Sequence, residues 1–101
     1  MTTIRCVSPI DGSTYAERPA LSPDEAAAVV ARARAAQKPW AATPLAERVA
    51  LVQEGVRRLN ADKARIVEEL AWQMGRPVRY GGEFGGVNER ADYMGRIAES
   101  A

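Results

Sequence analysis

The sequence predicts a mainly helical chain that opens with a β-hairpin. Three observations carry that expectation: turn-forming residues separate a pair of short strand-like runs near the start, hydroxyl-proline pairs recur where helices would begin, and apolar residues then repeat at helical spacing. These signals divide a single domain over 1–101 into a hairpin region at 1–20 and helices at 22–39, 43–60, 62–75 and about 84–101.

In the hairpin, Ile4 to Val7 and Ser13 to Glu17 flank Ser8-Pro9-Ile10-Asp11-Gly12. Proline fixes φ and glycine accepts positive φ, so this segment suits a loop somewhat longer than a two-residue turn. Pro19 has no N–H to give a sheet ladder, and regular pairing is expected to stop near it.

The first helix is the best marked. Ser22 precedes Pro23, Asp24 and Glu25, which supply an N-cap hydroxyl, a proline at the first helical position and a glutamate placed to close a capping box. Ala26, Val29, Val30, Ala33, Ala36 and Trp40 follow at helical spacing, with Arg32, Arg34 and Lys38 on the other side. Pro39 is expected to end this helix near Lys38 or let it run one turn further. Thr43-Pro44 repeats the start signal, with the Thr43 hydroxyl expected as the cap. Ala46 rather than Glu47 occupies the position a capping box needs, so only half of that motif is available.

Leu45, Val49, Val52, Val56 and Leu59 form a continuous apolar stripe along the second helix. After the break at Asn60-Ala61-Asp62, the residues Ile66, Val67, Leu70, Ala71 and Met74 define a third helix that ends at Gly75 with Pro77 just beyond. So short a connection predicts an antiparallel pair. The segment Gly81-Gly82-Glu83-Phe84-Gly85-Gly86 carries four glycines in six positions, each costing about 1 kcal/mol against alanine inside a helix. The last helix is therefore expected to start late or weakly, with Val87, Ala91, Met94 and Ile97 or Ala98 on its apolar side.

Composition narrows function. The chain has 14 basic and 13 acidic residues for a net charge of +1, with the signs interspersed, as where Glu54 stands near Arg57 and Arg58. Neutralising several phosphates takes a basic stripe, so neither nucleic acid nor an anionic membrane is an expected partner. The 47% apolar content includes no run long enough to span a bilayer. Cys6 is the only cysteine, which rules out an intrachain disulfide and makes a cytoplasmic setting the expectation. Histidine is absent, and with it the commonest general base and a common metal ligand.

Several residues invite a chemical reading and each has a plainer one. The Gly81 to Gly86 segment offers backbone N–H groups to an anion, but it lacks a preceding strand, a following Lys-Ser or Lys-Thr, and the Gly-x-Gly-x-x-Gly spacing. A flexible or close-packed segment is the better reading. Cys6 has only Arg5 beside it to lower its pKa and reads as a small apolar strand residue. Glu68 and Glu69 are adjacent on a helix and point apart, so they read as a solvated face. Trp40 and Trp72 sit at the edges of apolar stripes and read as packing anchors. No residue is assigned a catalytic, cofactor-binding or metal-ligating role.

Taken in order, these pieces resemble the opening of the aldehyde dehydrogenase superfamily. The resemblance rests on Ser8-Pro9-Ile10-Asp11-Gly12-Ser13, on Ser22-Pro23-Asp24-Glu25 leading into Ala31-Arg32-Ala33-Arg34-Ala35-Ala36, and on Pro39-Trp40-Ala41-Ala42-Thr43-Pro44-Leu45-Ala46-Glu47-Arg48. Glu69-Leu70 and Met74-Gly75-Arg76-Pro77 continue it, with Arg76 where the family more often has lysine. The glycine-rich segment departs from the pattern, which usually carries a regular helix with alanines there.

The resemblance implies an N-terminal portion of the α/β, Rossmann-like cofactor-binding domain, and hence an incomplete domain here. It also implies a parent enzyme that oxidises an aldehyde to a carboxylate with NAD or NADP. In that family a cysteine thiolate attacks the aldehyde, hydride passes to the nicotinamide, a glutamate-activated water hydrolyses the thioester, and an asparagine with a backbone N–H holds the oxyanion. None of those positions has a counterpart among these residues, and Cys6 falls too early to be the nucleophile. The isolated chain is therefore expected to be inactive and to carry no cofactor, with the rest of the enzyme or copies of itself as partners in a homo-oligomer. The alternative is a stand-alone helical protein-interaction module that binds through the Leu45 to Leu59 stripe or the Trp40 region.

Overall fold

A computed structural model describes residues 2–101. Two strands, β1 (Thr3–Val7) and β2 (Thr14–Pro19), pair antiparallel from Thr3 opposite Pro19 to Cys6 opposite Ala16. The register then slips, so that Val7 faces Thr14 and Tyr15 is left without an opposite residue. Ser8 and Gly12 close the loop, the Ser8 N–H donating to the Ser13 carbonyl at 2.8 Å and the Gly12 N–H to the Ser8 carbonyl at 2.9 Å. The second strand runs two residues past the expected Glu17. A two-stranded sheet consists only of edges, where a proline is tolerated, and the Ala20 N–H still reaches the Thr2 carbonyl at 2.8 Å.

Helix α1 (Pro23–Ala42) begins as its sequence requires: the Glu25 N–H donates to Ser22 Oγ at 3.2 Å and the Ser22 N–H to Glu25 Oε2 at 2.7 Å. The helix does not stop at Pro39 but continues one turn. There the Thr43 N–H reaches the carbonyls of Pro39 and Trp40, both at 3.1 Å, and the Thr43 hydroxyl donates to Pro39 at 3.0 Å. This corrects the expected role of Thr43. Its hydroxyl closes α1 instead of opening α2 (Leu45–Ala61), whose N-cap is Pro44 with no side-chain bond.

Only Asp62 separates α2 from α3 (Lys63–Met74), and so the expected antiparallel hairpin is not built. Reversal of a helix takes a linker of about two to five residues. With one residue available the two helices meet at a corner, and the more extensive partner of α2 is α4 (Phe84–Ile97). Gly75, at φ 74°, ends α3 in the left-handed conformation, its N–H bonded to the Ala71 carbonyl at 2.9 Å. A short 3-10 turn over Val78–Tyr80 follows.

Helix α4 starts at Phe84, the expected boundary, and takes Gly85 and Gly86 into its first turn. It ends at Ile97, short of the expected 101, where the Ser100 N–H and hydroxyl both donate to the Ile97 carbonyl at 3.0 Å.

Among the described residues the large apolar side chains that are buried are Val67, at 6% exposure, and Phe84, at 4%. Every residue of α1 is exposed. The radius of gyration is 17.7 Å, with extents of 48 × 40 × 20 Å. A compact domain of this length would have a radius near about 13 Å, so these helices enclose far less than a finished core.

Candidate functional site: the groove between α2 and α4

The stripe foreseen on α2 faces α4 across an open groove of about 420 Å³. Val49 and Val52 from α2 and Ala91, Met94 and Gly95 from α4 line it, Trp40 from the end of α1 closes one side, and Arg48, Gln53 and Arg90 bring polar atoms to it. Gly95 faces Val49 across the groove, and a Cβ there would stand 3.5 Å from Val49 Cγ1, at ordinary van der Waals distance. At the far end of the pair, Asn60 and Asn88 exchange amide hydrogen bonds of 2.7 and 2.9 Å, and Asn60 also donates to the Val56 carbonyl at 2.8 Å. That reciprocal pair locks the register of α2 against α4. Sequence reading missed it, because partners 28 residues apart leave no local signal.

Arg48 spends its Nε on the Thr43 carbonyl at 3.0 Å, and no carboxylate, thiol or hydroxyl joins Arg48, Gln53 and Arg90 on the lining. Trp40 stands 39% exposed at its rim, an anchor with only a portion of its surface covered. Trp72 lies on α3 away from the groove and is likewise half open.

The remaining candidates lie apart from one another. Cys6, half-buried on β1, points its thiol at the Gln73 carbonyl, 3.7 Å away, and so fastens the hairpin to the end of α3. Pro9 makes the second contact of that junction, for a Cβ on Gly75 would stand 3.2 Å from Pro9 Cγ. Between these two contacts in sequence sits Ser8, 1% exposed, whose Oγ accepts the Ile10 N–H at 3.3 Å. Its burial was not foreseen, since a serine in a loop ordinarily reads as solvated.

Glu69 pairs with Arg65 at 2.8 Å while Glu68 is exposed, in keeping with a solvated face. Hydrogen bonds from Arg65 to Asp62 and then to Glu69 hold the guanidinium pKa above its ordinary value. Glu54 likewise takes both Arg57 and Arg58. Among the described residues no group of three or more His, Cys, Asp or Glu side chains gathers into a possible metal site.

The glycine-rich segment does not fit a dinucleotide phosphate. It follows a 3-10 turn instead of a strand, and Gly82 is buried with φ 62°, where a Cβ would lie 3.0 Å from Leu70 Cδ1 and 3.3 Å from Val67 Cγ2. Packing onto α3 accounts for that glycine. Arg76, bonded through Nη1 to Glu83 at 2.7 Å, bridges the two sides of the same corner, with its Nε buried and without a partner.

The β-hairpin and the helices leave large apolar side chains open to solvent. Residues 1–101 match the aldehyde dehydrogenase family, and the chain belongs to that family of oxidoreductases as an N-terminal segment of it. No curated protein and no solved structure matches the chain. No helix among the described residues is long and apolar enough to cross a membrane.

Proposed function

We propose that this chain is the N-terminal structural portion of an enzyme that oxidises aldehydes to carboxylates with NAD or NADP, and that the chain alone does not catalyse. The observation that carries this reading is the unfinished core. With only Val67 and Phe84 buried among the large apolar side chains of the described residues, the faces of α1 and α2 act as surfaces for further polypeptide. Family membership supplies the reaction class, and the separation of Cys6 and the acidic residues from the groove that Arg48 and Arg90 line supports a scaffolding role in it. The thiolate, the oxyanion donors, the general base and the Rossmann-like sheet that holds the dinucleotide then belong to other regions of the enzyme, which works in the cytoplasm. The apolar faces are covered by those regions or by second copies of the chain.

Two measurements test the proposal. Isolated residues 1–101, supplied with aldehydes and either NAD or NADP, should form no reduced nicotinamide, and turnover at an ordinary enzymatic rate would overturn it. Intact mass compared with the encoding reading frame separates this reading from a stand-alone interaction module: a frame running well beyond Ala101, whose product oxidises aldehydes, supports the enzyme segment, whereas a frame ending there supports the module.

A further inference from the structure

We draw no further inference here: the strongest candidate, the apolar groove between α2 and α4 that Trp40 walls and Val49, Val52 and Met94 line, opens to solvent and nothing in the structure shows what covers it.

Discussion

Gly82 and Gly85 are near neighbours in sequence and answer opposite demands. Gly82 holds a left-handed φ of 62° and lets the backbone settle on Leu70 and Val67. An alanine there meets two separate penalties: about 1–2 kcal/mol for the left-handed backbone, and about 1–3 kcal/mol for forcing a methyl against a packed corner. Gly85 sits in the first turn of α4, where an added methyl would find nothing within 4 Å, so alanine there should stabilise by up to about 1 kcal/mol through helix propensity. Urea midpoints of Gly82→Ala and Gly85→Ala should therefore move in opposite directions. Two shifts of the same sign would show that the segment is a flexible tether and not a packed corner. Asp11 illustrates a purely local device at the same scale: its carboxylate accepts the Ser13 hydroxyl at 2.6 Å and the Ser13 N–H at 2.9 Å, and those bonds hold its pKa below the ordinary value.

At the scale of the element, α1 depends on its cap, because no neighbour buries any of its residues. Bonds from the Ser22 N–H hold the Glu25 carboxyl below its ordinary pKa of 4.5. A depressed folded pKa means that the contribution is fully present above the ordinary carboxylate range and is lost as pH falls through the lowered value. Helicity measured by circular dichroism should therefore drop on acidification below about pH 4.5. The share of that drop due to the cap should vanish in Glu25→Gln, which keeps the hydrogen bond but cannot titrate. Identical acid profiles for the two proteins would remove Glu25 from the account.

Replacing Ser22 by alanine should cost about 1 kcal/mol of helix stability at neutral pH, read as lower helicity and a lower melting midpoint. This cap was legible in the sequence because all its partners lie within one turn. Thr43 was not, since a hydroxyl before a proline can accept forward from the next helix or donate back to the last one, and only the continuation of α1 past Pro39 decides which. The more extensive packing of α2 on α4 than on α3 was equally hidden. It depends on the single-residue corner at Asp62 and on the distant Asn60–Asn88 exchange. As for the candidate site, the α2 stripe was readable from its period, but the groove needed Trp40 and α4 brought alongside by the fold.

At the scale of the whole molecule, the helices have abundant apolar surface and too little to set it against. Val30, Leu51, Val52 and Met94 are each at least half exposed, and they belong to three different helices. Contiguous apolar surface left open to water drives association until something covers it, at roughly 25 cal/mol for each Å² removed. The isolated chain should therefore bind ANS and associate with itself, giving sedimentation coefficients that rise with concentration. Trp40 fluorescence, recorded in a Trp72→Phe background, should lose accessibility to acrylamide as the associated species forms. Placing a charge in the α2 stripe, as in Val52→Glu, should weaken association while leaving the helix content and the Asn60–Asn88 register intact, because Val52 is half exposed and supports no core in the single chain. If the wild-type chain instead sediments as a compact, ANS-silent monomer at every concentration, these faces close on one another in solution, and the unfinished core on which the proposed role rests is not there.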